Sequence, residues 1–241
     1  MQLSEASFKR IIAVGDLHGH HEPLKRILQI IDIGKDDLII FIGDYIDRGP
    51  YSKQLVQELI GLQASHPHTV FLKGNHEDML LGSFGYTALV SDMDNWLHNG
   101  GWATLRSYGL GMDELNRILS LQNRGGRRAA FTKAVSKAHM DFFMQLELFV
   151  ETEGFFFCHG GVDPADSMEQ GKKNQHNLLW MREHLYAEEL FWEKTLVCGH
   201  TPLREIRIAE KLICIDTGLH HYGVLSAIDV KSMELFQVKQ G

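Results

Sequence analysis

The chain has 241 residues and a formal charge of −7, from 24 Lys and Arg against 31 Asp and Glu. That length sets a limit of one large domain or two small ones around a sizeable core. The acidic balance excludes a protein that coats nucleic acid, which needs clustered cations. No apolar run reaches the ~18 residues of a membrane-spanning helix, residues 1–10 lack a signal peptide's apolar centre, and the 3 cysteines make no disulfide framework. The expectation is a cytoplasmic protein with no membrane and no nucleic-acid polymer among its partners. The 14 histidines and 23 glycines, beside only 5 prolines, suit a site carried on tight loops.

In chain order, 10–14 reads as a short strand stopping at Gly15. Residues 23–33 place Leu24, Ile27, Leu28 and Ile31 at helical spacing behind a first-turn proline. A second strand follows at 37–42, a second helix at 52–62 (Leu55, Val56, Leu59, Ile60) and a third strand at 69–73. This order predicts parallel strands with right-handed helical crossovers. From Glu77 to about Val150 strand signals give way to helical or irregular stretches, including 113–121 and 128–149. We read a helical, cap-like insertion at about 79–150 within one domain spanning 1–241. Strands resume at 155–158, 195–198, 212–215, 224–230 and 234–238. The predicted fold is α/β, with two packed mixed β-sheets flanked by helices. Cys158, Cys198 and Cys214 each lie in an apolar run and read as small buried strand residues.

The chemistry-bearing residues follow the strands: GDLHG (15–19), GDYIDRG (43–49), GNHE (74–77), HGG (159–161) and GHT (199–201). An Asp after a strand commonly caps a helix or closes a turn. Five strand ends in order, each with a ligand-type side chain, exceed what turn chemistry explains, and functional residues of α/β proteins gather at such ends.

This set resembles the calcineurin-like metallophosphoesterases in their phosphoprotein phosphatase branch, whose motifs read GDxHG, GDxxDRG, GNHE, HGG and GH. The segments 95–102 and WMRE at 180–183 resemble the bacterial and bacteriophage serine/threonine protein phosphatases. The resemblance implies two divalent metal ions, the first held by Asp16, His18 and Asp44 and the second by Asp44, Asn75, His159 and His200. Such an oxygen- and nitrogen-rich set without thiolate suits Mn²⁺, with Fe, Zn and other first-row ions as alternatives. The implied reaction is direct attack by a metal-bridging hydroxide on a phosphoester, without a phospho-enzyme. His76 would protonate the leaving oxygen, Asp47 would orient His76 and raise its pKa, and Arg48, Arg182 and Asn75 would hold the phosphate.

One departure narrows the branch. Where many metallophosphoesterases end in GHxH, this chain has Pro202. The resemblance implies phosphomonoesters as substrates, since the related dinucleoside tetraphosphate hydrolases often lack an acidic residue at the position of Asp47. The expected class is chiefly phosphoserine and phosphothreonine in proteins, with small phosphoesters as further substrates. The alternatives are a dinucleoside tetraphosphate hydrolase and a non-catalytic scaffold of the same fold. The remaining histidines read by default as carrying no role at the site: His66, His68, His139 and His184 as surface residues, with a rim position for one of His20 and His21, and a substrate contact for one of His220 and His221, as the alternatives. Arg127 and Arg128 read as a solvated helix start.

Overall fold

Ile11 and Ala13 point to one side of their strand and Ile12 and Val14 to the other, as a strand's two-residue repeat requires. All four are buried, so both faces of that strand are covered. The computed structural model describes residues 1–87, 93–121 and 123–241, with Arg124 described by its backbone only. Among them the strands are β1 (Ile11–Val14), β2 (Leu38–Phe41), β3 (Thr69–Phe71), β4 (Phe149–Glu151), β5 (Phe155–Cys158), β6 (Thr195–Cys198), β7 (Arg207–Ala209), β8 (Leu212–Cys214), β9 (Val224–Asp229) and β10 (Glu234–Lys239). The helices are α1 (His21–Ile31), α2 (Ser52–Ser65), α3 (Asn75–Ser83), α4 (Met93–Trp96), α5 (Trp102–Ser107), α6 (Met112–Ser120), α7 (Arg124–Ala134), α8 (Lys137–Met144), α9 (Met168–Gly171), α10 (Gln175–Trp180) and α11 (Leu219–Tyr222).

Two mixed sheets form, in the orders β10-β9-β1-β2-β3 and β4-β5-β6-β8-β7. The first has a parallel centre, β1 to β2 to β3, with β9 antiparallel to β1. The second has a parallel centre, β5 to β6 to β8, flanked by antiparallel β4 and β7. Ile11, Ala13, Ile40 and Val70 meet Phe157, Val197 and Ile213 in the apolar layer between the sheets. On the outer face of the first sheet, Ile12, Val14, Ile39 and Phe41 pack with Leu24, Ile27, Leu55 and Leu59 of α1 and α2, and with the helices after α3. On the outer face of the second, Phe156, Cys158, Leu196, Cys198, Leu212 and Cys214 pack with Leu178, Leu185 and Trp192. The predicted two-sheet α/β architecture is therefore the observed one.

The differences are local. The helical stretch expected at 128–149 is divided, because Val135 and Ser136 are extended and the Ser136 hydroxyl caps the start of α8 by accepting from the His139 amide. Phe149 lies in β4, which pairs antiparallel with β5 and was not expected. β7 was also missed; its three residues are exposed, so it has no buried face to signal.

Candidate active site

The parallel strands of both sheets end at one edge, where the polar motifs converge. β1 leads to Asp16 and His18, β2 to Asp44, Asp47 and Arg48, β3 to Asn75 and His76, β5 to His159 and β6 to His200. All but Arg48 are buried. The backbone turns hard to bring them there: His18, Asp44, Asp47, Arg48 and His200 have φ of 42°, 54°, 71°, 66° and 67°. Such left-handed conformations cost about 1–3 kcal/mol each for non-glycine residues, and persist only where surrounding structure enforces them. Two glycines let the carboxylates of Asp44 and Asp16 come close to the backbone. A Cβ on Gly74 would lie 2.0 Å from Asp44 Oδ1, and one on Gly199 would lie 2.2 Å from Asp16 Oδ1.

Part of the enforcement comes from Glu77, to which sequence reasoning assigned no role. Its Oε2 accepts from the amides of Asp44 and Gly74 at 3.0 Å each, and its Oε1 from those of Tyr45 and Ile46 at 2.9 and 3.3 Å. One buried carboxylate thus ties the loop after β2 to the turn after β3. Burial and neighbouring Asp44 push its pKa up to about 7. The only sequence signal was its place in GNHE.

Asp44 sits at the centre. Its Oδ2 lies 3.5 Å from His18 Nε2 and 3.4 Å from His159 Nε2, between the two imidazoles. Asn75 Oδ1 accepts from His159 Nε2 and His200 Nδ1 at 2.9 Å each. The backbone carbonyls of Ile46 and Ile42 accept from the Nδ1 atoms of His18 and His159, both at 3.0 Å. These bonds fix the ring orientations and turn both Nε2 atoms toward Asp44, as outer partners of metal-binding imidazoles do. The Asp16 carboxylate accepts from the His200 amide at 3.2–3.3 Å. Two donor groups able to hold a metal result: His18, Asp44 and His76, and Asp44, His159 and His200.

The electrostatics fit cations here. Burial raises Asp16 well above the usual carboxylate range, helped by Asp216 and Asp44. Burial would also raise Asp44, but the imidazoles of His159, His76 and His18 hold it well below that range. Both ring nitrogens of His159 face oxygens, the Ile42 carbonyl at Nδ1 and Asn75 Oδ1 and Asp44 Oδ2 at Nε2, an environment that favours positive charge there. Burial would lower its pKa, yet Asp44 raises it. A divalent ion among these donors would supply that charge with the imidazole neutral. Asp216 is a further carboxylate here, to which the sequence reading gave no role. It is buried, and burial raises its pKa to about 6.

His76 is held differently. Its Nδ1 donates to Asp47 Oδ2 at 2.7 Å, and its Nε2 accepts from Arg48 Nη2 at 3.1 Å. Burial would lower its pKa, but Asp44 and Asp47 together raise it. Asp47 Oδ2 also accepts from Trp96 Nε1 at 2.8 Å, and its Oδ1 from Thr104 Oγ1 at 2.6 Å. Trp96 and Thr104 come from α4 and α5, so the helical region after α3 reaches the site. Arg48 Nη1 donates to His18 Nε2 at 2.7 Å, which places the guanidinium across both imidazoles.

Arg182 is exposed at the rim, where Nη1 donates to Thr201 Oγ1 at 3.2 Å, beside His200. His20 is buried and His220 exposed, and they meet at 3.4 Å (His20 Nε2 to His220 Nδ1). Two histidines read as surface residues are interior. His139, on the face of α8 toward α2, bonds Tyr108 Oη at 2.8 Å and Gln57 Oε1 at 3.2 Å. His184 lies against Cys198, with Nε2 3.5 Å from Sγ. Arg127 caps the end of α6, donating to the Leu121 carbonyl at 2.8 Å rather than standing free in solvent.

The chain is 26% identical over 233 residues to the serine/threonine-protein phosphatase 1 of Salmonella typhimurium, covering 93% of this chain and 94% of that one. It is 38% identical over 95 residues to the serine/threonine-protein phosphatase 2 of Escherichia coli, 39% of each chain. It is 24% identical over 196 residues to the zinc-dependent endopolyphosphatase of Saccharomyces cerevisiae, covering 78% of this chain but spanning only 57% of that relative's length. A crystal structure assigned provisionally as a diadenosine tetraphosphatase superposes with a TM-score of 0.68 at 17% identity, covering 100% of this chain and 97% of that one. The profile of the family described as calcineurin-like phosphoesterase matches residues 9–224. With the two-sheet fold and the His/Asp clusters at its strand ends, the chain belongs to the calcineurin-like phosphoesterase family.

Proposed function

We propose that this protein is a dinuclear-metal phosphatase acting on phosphomonoesters, chiefly phosphoserine and phosphothreonine in proteins. Asp16, His18 and Asp44 would hold one ion, and Asp44, Asn75, His159 and His200 the other. Two bound divalent ions would supply Lewis acidity and an acidified water at the phosphorus. Mn²⁺ is our choice of metal and the cytoplasm our choice of compartment. Residues 1–241 are read as one domain, with 79–150 as a cap-like insertion that carries Trp96 and Thr104 to Asp47.

The observation that carries this reading is the buried His76–Asp47 pair at 2.7 Å with Arg48 on its far side. A phosphomonoester with an alkoxide leaving group needs a proton donor at that oxygen. Asp47 accepts from Nδ1, so Nε2 is the atom that would deliver the proton. In the observed arrangement Arg48 donates to Nε2, which therefore carries no proton there. A phosphate that draws the guanidinium onto its own oxygens frees Nε2 to protonate. Arg48 thus binds the dianion and makes acid catalysis conditional on substrate. Arg182 at the rim would supply a second cation, and the Asn75 amide would donate to a phosphate oxygen.

The test compares turnover of a phosphoserine or phosphothreonine peptide with that of diadenosine tetraphosphate, on one Mn²⁺-reconstituted preparation. The expected result is the larger kcat/KM on the phosphopeptide. A dinucleotide substrate preferred by an order of magnitude would replace our reading with the hydrolase alternative. No turnover of either, with the metal bound, would support the scaffold alternative.

A further inference from the structure

On the far side of the second sheet, behind the loops that carry His159 and His200, three cysteines and a histidine gather. β6 and β8 are parallel, and their register places Cys198 directly beside Cys214. Both side chains project to the outer face, and their Sγ atoms lie 3.3 Å apart. His184, from the turn after α10, aims Nε2 at Cys198 Sγ from 3.5 Å. One nitrogen or sulfur from each of the three residues falls within 4.8 Å of the other two. All three residues are at most 2% exposed. His184 Nδ1 has no hydrogen-bond partner among the described residues although it is buried. The ring is packed over Gly161, where a Cβ would stand 2.6 Å from both Cε1 and Nδ1. The imidazole is therefore seated by packing and directed at the thiols, while its other nitrogen is unsatisfied, an arrangement that hydrogen bonding alone does not reward.

We propose that His184, Cys198 and Cys214 form a metal site, separate from the Asp/His cluster, that takes one thiophilic d¹⁰ cation, Zn²⁺ being the fitting one. The donor set is two sulfurs and one imidazole nitrogen, the ligand types zinc favours. A tetrahedral ion with bonds of about 2.3 Å to sulfur and ~2.0 Å to nitrogen holds those atoms roughly 3.5 Å apart, the separation of His184 Nε2 from Cys198 Sγ. The two sulfurs would part by about half an ångström from their present contact. Charge also balances: each thiol releases its proton to solvent on binding, and two thiolates cancel the divalent charge within an apolar layer where a net charge would be costly. Cys158 stands next in the same row across β5, β6 and β8, but outside this triad. An ion here would tie the turn holding His184 to β6 and β8, two residues before His200. This inference is independent of the phosphatase reading, since none of the three residues serves it.

The experiment titrates the chelator-stripped full chain with Co²⁺ and follows the thiolate-to-cobalt charge-transfer absorption, which oxygen and nitrogen ligands cannot produce. The wild type is expected to show the band with the amplitude of one thiolate-bound ion per chain, and Zn²⁺ to bleach it. Asp44→Asn, which disrupts the Asp/His cluster, is expected to keep it. Cys198→Ala with Cys214→Ala should abolish it. His184→Asn, a milder change, should weaken Co²⁺ affinity by at least about tenfold. Absence of the band in folded wild-type protein overturns the proposal, as does a band that survives in the double variant. A mass loss of two hydrogens on peroxide treatment, with no metal uptake, would likewise overturn it and mark the thiols as a redox pair.

Discussion

The indole of Trp96 donates at 2.8 Å to the same Asp47 oxygen that holds His76, bridging 49 positions of sequence. Together with the Thr104 hydroxyl on the other oxygen, it leaves the Asp47 carboxylate no rotational freedom. The helical region after α3 therefore sets the aim of the proposed acid. Trp96→Phe keeps most of the packing and removes the donor. We expect kcat on a phosphopeptide to fall by about tenfold, the worth of one hydrogen bond to a charged group, with KM little changed. An equal fall on nitrophenyl phosphate, which needs no proton for departure, would contradict this.

His76 carries the larger effect. His76→Asn is expected to cost on the order of 10²–10⁴ in kcat on a phosphopeptide, the usual span for a general acid, and markedly less on nitrophenyl phosphate. Steady-state rates on the two substrates check it.

The pH profile follows from the raised His76 pKa. A proton donor works while protonated, so activity falls as pH rises through that pKa. Asp44 and Asp47 raise it and carry the alkaline limb upward. Asp47→Asn removes one of those charges, and the limb of kcat/KM should move to lower pH. A limb that stays in place would assign it to another group.

Asp44 is the one carboxylate shared by both proposed metal sets. Asp44→Asn halves the charge available to them, and we expect loss of metal from that cluster and of most turnover. Elemental analysis of dialysed protein, together with rates in excess Mn²⁺, decides it; full metal content in the variant would remove Asp44 from the ligand set.

Glu77 should matter through folding. Glu77→Ala leaves four buried amides without their acceptor, and we expect a loss of about 3–5 kcal/mol of stability, as for breaking a buried charged network. Urea unfolding measures it. Glu77→Gln keeps one acceptor oxygen and should lose less.

The strand ends were legible because each motif directly follows an apolar run, and a local pattern carries that signal. The helices expected at 23–33 and 52–62 followed from residue spacing for the same reason, and are observed at 21–31 and 52–65. What escaped depends on distant partners. β4 is a strand only because β5 lies beside it, and β7 only because of β8. His139 and His184 look like surface residues until Tyr108 and Cys198 arrive from other elements. Glu77 stands within a recognised motif, yet its function is to gather amides from a loop more than thirty positions earlier. For Arg48 too, nothing in the sequence hints that it donates to His76 Nε2.

The order of strands in the first sheet bears on how the chain matures. β1, at the start of the sequence, pairs with β9 from its end, so the first sheet closes only after nearly all of the chain is available. The proposed ligands are divided likewise: Asp16, His18, Asp44 and Asn75 precede the helical region, while His159 and His200 follow it. A growing polypeptide would thus expose four of the six proposed ligands well before the other two exist. Contacts so distant in sequence form late. A product truncated after the helical region would therefore lack His159 and His200, two of the four ligands proposed for the second ion.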